Sequence, residues 1–206
     1  DAAPEERALA LAALRGYRAA PEAVLPALRR GLIETAEPEA AAEAGAALLD
    51  LGGTSVLDDP EVAWALVHQL GDAGSPVVRA ALARRGPAVV PWLRARVDEL
   101  AHRIAGRRVE HHASPIEYVV ETLLEVRREA GFEAVRDLAL GPGAEVLAPP
   151  TRRFALRKIQ VLFAPRLAGE LRAEFDGHAG DGVRRELLLA IAASRGGDLA
   201  ARPDGA

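Results

Sequence analysis

The chain has 206 residues, a formal net charge of −4 and no cysteine or methionine. Half of its residues are hydrophobic and only 4% are aromatic, so the composition is that of a folded chain with few large aromatic anchors in its core. The absence of cysteine excludes disulfides, thiolate metal sites and cysteine nucleophiles. Residues 1–60 hold 11 acidic and 5 basic side chains, whereas residues 61–110 hold 5 acidic and 8 basic ones, so any basic surface for nucleic acid must be local.

No apolar stretch approaches the roughly 18 residues that a membrane-spanning helix needs, so no membrane span is expected. The sequence starts at Asp1 and lacks methionine, which fits a processed mature chain or a part of a longer one. A cytoplasmic location is the default expectation, and an exported mature protein stays open. Lys158 is the only lysine among 26 basic residues, a usage typical of a GC-rich bacterial genome.

Prolines divide the chain into units of similar length. Pro4, Pro38, Pro76, Pro115 and Pro150 recur at separations of 34, 38, 39 and 35 residues, and each opens a run of helix-forming sequence. Most units are expected to contain two helices, because a second set of prolines falls inside the intervals: Pro21, Pro60, Pro87 and Pro165. A period of about 20 to 50 residues that is built from helix pairs is typical of an α-solenoid.

In chain order, the first two helices are predicted at residues 4–18 and 21–34, where apolar residues recur at helical spacing. The third starts at Pro38 and ends on Gly52-Gly53, a sequence that suits a left-handed C-cap. Asp59 is then predicted to be the N-cap of a fourth helix that begins at Pro60.

The third unit has the clearest pattern. Val77-Val78-Arg79-Ala80-Ala81-Leu82 predicts a first helix, Gly86 predicts a turn, and Ala88-Val89-Val90-Pro91-Trp92-Leu93 opens a second helix that continues to Ile104. An echo of the second helix lies upstream, where Val24-Leu25-Pro26-Ala27-Leu28-Arg29 aligns with Val89–Arg94 at an offset of 65 residues. Two repeat lengths account for that offset.

Farther on, Ser114 and Glu117 form a capping box, which predicts a helix that ends near Gly131 and a shorter partner over residues 132–140. Further helices are predicted from Pro150, from Pro165 and over residues 181–194. The segment 196–206 is rich in Gly, Pro and Asp and is expected to be a flexible tail.

The unit from Gly71 to Ile104 resembles the HEAT-repeat family, in particular its short bacterial HEAT-like form. The resemblance implies an all-α, right-handed α-solenoid of about five antiparallel helix pairs plus a C-terminal capping helix, in one domain over residues 1–195. Armadillo and tetratricopeptide arrays stay open as related helix-pair folds. The tetratricopeptide alternative is weaker, because its strict 34-residue pattern of tryptophan, tyrosine and proline is missing.

In HEAT-like proteins the second helices commonly face a partner, so the resemblance implies a non-catalytic scaffold or accessory subunit. Arg29, Arg94 and Arg172 each follow an aligned leucine on a second helix and are the predicted partner-binding residues. Such a row would favour an acidic segment of another protein. The alternative is that these arginines are solvated residues beside the core, where an exposed charge contributes only about 0 to 1 kcal/mol.

The resemblance also implies structural ion pairs between Arg79 and Asp72 and between Arg184 and Asp181. His102, Glu110, His111 and His112 lie near one another in sequence, but they lack the spacing of a defined metal site.

No cofactor, metal or catalytic residue is predicted, because no nucleophile motif or phosphate-binding glycine loop is present. A helical-repeat nucleic-acid-binding protein or DNA glycosylase-like enzyme is the competing hypothesis. It is disfavoured by the acidic composition, because a glycosylase needs a basic face with aromatic residues. A phycobilin-lyase role would rest on the repeat type alone.

Overall fold

A computed structural model of the protein describes residues 10, 21–71, 75–105, 115–177 and 181–200. Within these residues the chain is helical and contains no β-strand, which confirms the all-α prediction. Short 3₁₀ helices occupy residues 53–58, 86–89, 144–146 and 164–167. The ten α-helices of the described residues are α1 (Pro21–Glu34), α2 (Pro38–Gly52), α3 (Pro60–His68), α4 (Ser75–Ala83), α5 (Val90–Ile104), α6 (Pro115–Val126), α7 (Arg128–Leu140), α8 (Pro149–Leu162), α9 (Ala168–Gly177) and α10 (Asp181–Ala200).

Several helix ends lie at prolines and glycines where the sequence predicts them, whereas Pro87 and Pro165 lie in 3₁₀ helices that precede α5 and α9. α1 covers the predicted range 21–34, and Pro38 and Pro60 lie in the first turns of α2 and α3. Asp59 accepts hydrogen bonds from two backbone N–H groups at the start of α3. Gly53 ends α2 with φ 67°, a value that glycine adopts without a steric cost. The predicted N-cap at Asp59 and the glycine C-cap with positive φ are therefore confirmed, although the ψ of −148° places Gly53 outside the left-handed helical conformation.

The helix boundary predicted near Gly131 is wrong. α6 ends at Val126 and α7 begins at Arg128, so Gly131 lies inside α7. A Cβ atom at Gly131 would lie only 2.6 Å from Cδ2 of Leu124. Gly131 therefore allows α7 to approach the end of α6 closely, whereas the sequence pattern suggested that it terminates a helix.

Some predictions concern residues outside the described ranges. They are the helix over residues 4–18, of which only residue 10 is described, and the Ser114 cap. α10 continues to Ala200, beyond its predicted end at residue 194. The single domain over residues 1–195 and the flexible tail from residue 196 stay predictions.

The chain divides into two compact units, of which the first comprises residues 1–99 and 113–131. In this unit α1 packs against α2, α2 against α4, and α4 against α6, while α3 packs against α1. The second unit comprises residues 100–112 and 132–206. In it α10 packs against both α8 and α9.

Small residues allow the helices of the first unit to approach closely. A Cβ atom at Gly31 of α1 would lie 3.1 Å from Cβ of Ala44 of α2. A Cβ atom at Gly45 would lie 2.8 Å from Cδ2 of Leu66 and 3.2 Å from Cδ1 of Leu32. The alanine-rich α2 is thus the centre of this core, with most of its residues from 40 to 49 buried.

Candidate interaction groove

An open apolar groove of about 270 Å³ lies among α1, α2, the 3₁₀ helix 53–58 and α3 of the first unit. We call it the α1–α3 groove. Two charged residues, Arg29 and Asp59, line it. Its apolar lining consists of Leu25, Pro26, Leu48, Val56 and Val62.

The face of α1 that lines the groove follows from its helical spacing. Leu25, Pro26 and Arg29 lie within one turn of each other, while Leu28 and Leu32 are buried on the face toward the core. Pro26 lies inside α1 and has no N–H group to donate to the preceding turn. It therefore presents an apolar ring to the groove at a point where the helix gives up one backbone hydrogen bond.

Arg29 joins α1 to the beginning of α3 through two carboxylates. Its Nε donates a 2.9 Å hydrogen bond to Oδ2 of Asp59, and its Nη2 donates to Oε2 of Glu61. Asp59 is at the same time the N-cap of α3. The side chain of Asp59 therefore caps the first turn of α3 and also binds Arg29 of α1.

Arg29 and Asp59 are both charged at neutral pH. The hydrogen bond from Arg29 lowers the pKa of the Asp59 carboxyl, and the backbone N–H groups of the helix start act in the same direction. The hydrogen bonds to Asp59 and Glu61 raise the pKa of the Arg29 guanidinium above its ordinary value. One positive charge thus lies between two negative charges at the edge of the apolar groove.

The three arginines that the sequence singles out have different surroundings. Arg29 lines the groove and is engaged with two carboxylates, whereas Arg94 lies half-buried on α5 of the same unit. Arg172 is exposed on α9 and belongs to the second unit. Their role as partner-binding residues stays a prediction, and Arg29 is the one that lines the α1–α3 groove.

Arg79 forms ion pairs, but with partners that the sequence did not predict. It binds Oε2 of Glu121 at 3.3 Å and Oε2 of Glu125 at 3.1 Å, both on α6. The predicted partner Asp72 lies outside the described residues. Arg79 and Glu125 also line a second groove of about 380 Å³, the α4–α6 groove, together with Leu70, Pro76, Ala80 and Tyr118.

Arg184 stacks over the ring of Phe175, with its guanidinium carbon 4.3 Å from the ring centroid. Such a cation–π contact between α10 and α9 is consistent with a structural role. The side chain of Asp181, its predicted partner, is outside the part of the chain whose side chains are described.

Pairs of an arginine and a carboxylate link helices in both units. Within the first unit Arg84 binds Oδ1 of Asp50 at 2.8 Å. Within the second unit Arg136 binds Oε2 of Glu170 at 2.9 Å. Like Arg29 and its partners, each of these pairs joins residues about one repeat length apart in sequence. Sequence reasoning missed them. For Arg29 and Arg136 the searchable signal is an arginine placed about 30 residues before an acidic helix start, whereas Arg84 binds an acid near the end of an earlier helix.

A polar cluster around the buried side chain of Arg96 lies elsewhere in the first unit. Arg96 is 5% exposed, and its Nη1 contacts Glu99 and lies 3.2 Å from Nε2 of His68. The ring of His68 also packs on Trp64 at a centroid distance of 5.1 Å. His68 is therefore part of a cluster of polar and aromatic side chains.

Among the described side chains, no group of three or more histidine and acidic residues is arranged to hold a metal ion. His102 is exposed on α5, and Glu110, His111 and His112 lie outside the described ranges. None of the helices in those ranges is long and apolar enough to cross a bilayer.

Comparison with known proteins adds no functional information. No protein-family model, curated protein or solved structure is detectably similar to the chain.

Proposed function

We propose that the chain is a HEAT-like α-solenoid that acts as a non-catalytic protein-interaction module, and that the α1–α3 groove receives a side chain of its partner. The solenoid arrangement is supported by the packing order in the first unit. There α2, α4 and α6 pack in succession and α1 packs against α3, as expected when corresponding helices of adjacent repeats stack.

The observation on which the proposal depends is the composition of the groove. Leu25, Pro26 and Val56 are accessible at its surface, and Leu48 and Val62 form the buried part of its lining. A volume of about 270 Å³ is near the lower end of the range for ligand pockets, about 300 to 1,000 Å³. It therefore suits one or two inserted side chains of a protein better than a large cofactor.

The polar groups of the groove favour binding over catalysis. Arg29, Asp59 and Glu61 satisfy one another by ion pairing, and Asp59 is further held by its capping role. A hydrolytic or transfer site would instead need a nucleophile beside a base. Fixed charges around an apolar depression are typical of a recognition surface with an apolar centre and a polar rim.

A photo-crosslinking experiment tests this proposal. A photoreactive amino acid is placed at Pro26 in the groove, or at the exposed Val161 of the second unit as the control, and each protein is expressed in its source cells. We expect one discrete crosslinked partner from position 26. A matched pair of variants then tests the groove, because Leu25→Gln should reduce this crosslink strongly and Leu189→Gln should not.

Two results would contradict the proposal. One is equal labelling from positions 26 and 161, which would indicate random collisions. The other is a crosslink from position 26 that persists unchanged in the Leu25→Gln background, which would mean that the apolar lining does not contribute.

A further inference from the structure

We infer that the α1–α3 groove selects a cationic segment of a partner protein, in which an apolar side chain enters the groove and neighbouring arginine or lysine side chains meet its acidic rim. This inference rests on the proposed function and names the chemistry of the partner. It reverses the sign of the charge that the sequence alone suggested for that partner.

The first argument is the state of Arg29. Its Nε and Nη2 already donate to Asp59 and Glu61, so an incoming carboxylate would have to compete with two carboxylates of the chain itself. The three side chains together have a net charge of −1. An acidic partner would be repelled by this group, whereas a guanidinium or ammonium group would be attracted to it.

The second argument is the charge of the surrounding surface. Glu22 is exposed one turn before Pro26 on the same side of α1, and Asp58 is exposed beside Asp59 at the end of the 3₁₀ helix. Arg30 is an exposed cation on the neighbouring face of α1. Among the charged residues of α1 from 22 to 30 and of the segment 58–61, four carboxylates outnumber two guanidinium groups. Arg85, which lies near Gly53 of the 3₁₀ helix, is paired with Asp50, as is Arg84.

The third argument is that the apolar part and the acidic part are adjacent. Arg29 and Asp59 line the same cavity as Leu25, Val56 and Val62. A segment that places an apolar side chain in the cavity must therefore bring its flanking residues to this rim. The α4–α6 groove likewise combines apolar residues with an arginine that binds two carboxylates, since Arg79 pairs with Glu121 and Glu125.

The test uses synthetic probes of defined charge and the full chain. Three short fluorescein-labelled peptides share central leucines and differ only in their flanking residues, which are all arginine, all glutamine or all glutamate. Binding is measured by fluorescence anisotropy at low and at physiological salt. We expect the arginine peptide to bind at least about tenfold more tightly than the glutamate peptide, and the difference to shrink as salt screens the rim.

A matched pair of charge reversals locates the effect. Glu22 and Glu39 each follow the proline that begins a helix, Glu22 on α1 and Glu39 on α2. Glu39 is nine residues, or about 13 Å along the helix axis, from the groove residue Leu48. Glu22→Lys should weaken binding of the arginine peptide by about threefold or more, whereas Glu39→Lys should have a smaller effect on that binding.

The outcomes separate this inference from the proposed function. Tighter binding of the glutamate peptide that is lost in Leu25→Gln would overturn the inference and leave the groove as the binding site. Equal weakening by Glu22→Lys and Glu39→Lys would overturn it as well, because the effect would then come from net charge. The absence of binding by all three peptides would also overturn it, while the crosslinking result would still decide whether the groove binds a partner.

Discussion

Nε of Arg152 donates a 2.9 Å hydrogen bond to the backbone carbonyl oxygen of Ala139. The guanidinium is 3% exposed and also binds Glu174, so one side chain connects the last turn of α7 with α8 and α9 in the second unit. A positive charge at the C-terminal end of a helix is favourable, because unpaired carbonyl groups are concentrated there. Arg152 thus links three helices of this unit.

Replacing Arg152 by leucine should therefore lower the free energy of unfolding by about 3 kcal/mol, because Glu174 and the Ala139 carbonyl lose a buried partner. Urea denaturation followed by circular dichroism measures the change. Arg153→Leu is the matched control on the same helix, and we expect a change within about 0.5 kcal/mol. Equal effects of the two substitutions would refute the structural role of Arg152.

Gly45→Ala should destabilise the first unit although alanine is the better helix former. The new methyl group would meet Leu66 at 2.8 Å and Leu32 at 3.2 Å, and both leucines are buried. Such overpacking costs about 1 to 3 kcal/mol, which exceeds the gain in helix propensity of about 1 kcal/mol.

Gly169→Ala is the counterpart, since no atom lies within 4 Å of a Cβ at that position of α9. We expect a gain in stability of up to about 1 kcal/mol. Thermal unfolding of the two variants should therefore move the melting temperature in opposite directions. A rise in both would mean that α2 packs less closely than the structure indicates.

Asp59→Asn should destabilise the protein in a pH-dependent way. Asparagine keeps an N-cap acceptor but removes the charge that Arg29 binds, and the pKa of Asp59 is lowered mainly by this contact. A carboxyl group with a lowered pKa contributes stability above its unfolded pKa of about 3.9 and loses it as the pH falls through the folded value. The difference in melting temperature between wild type and variant should accordingly be largest near neutral pH and vanish in acid.

Asp58→Asn, which removes the same charge one residue earlier, controls for the change in net charge. If the difference in melting temperature between wild type and Asp59→Asn stayed constant from pH 7 to about pH 2, the contact with Arg29 would contribute nothing to stability.

Leu187 and Leu188 are adjacent on α10, but truncation should cost much more stability at Leu187 than at Leu188. Leu187 is 0% exposed, whereas Leu188 is 51% exposed. Leu187→Ala should cost about 3 kcal/mol through lost burial and the resulting cavity, and Leu188→Ala should change stability by about 0.5 kcal/mol or less. Similar losses for both would indicate that a further surface covers Leu188 in solution.

The local features of the helices were predictable because they depend on neighbouring residues. The proline at 38, the cap at Asp59 and the positive φ of Gly53 act within one turn, so their sequence context specifies their structure. Gly131 was misinterpreted because a glycine that terminates a helix and one that permits close packing look the same in a single sequence. Only the position of Leu124 distinguishes them.

The candidate site was predictable only in part. Arg29 was selected from its alignment with Arg94, but its carboxylate partners at 59 and 61 are 30 and 32 residues away along the chain. Helical periodicity does not report which faces of different helices meet, so neither the groove nor its acidic charge followed from the sequence. We propose a cationic partner, in place of the acidic one that the sequence suggests, for the same reason, because an arginine with two bound carboxylates no longer presents a free positive charge.

Arg29, Arg84, Arg136 and Arg157 form ion pairs with residues that lie 29 to 34 positions away, and the partner of Arg157 is Glu186. Each such bond can form as soon as one further helix pair has been synthesised, which takes a few seconds at about 5 to 20 residues per second. Contacts of this short range give a low contact order, and we expect rapid folding that begins on the ribosome. A nascent chain that has emerged to residue 131 already contains the carboxylates that Arg29, Arg79 and Arg84 bind.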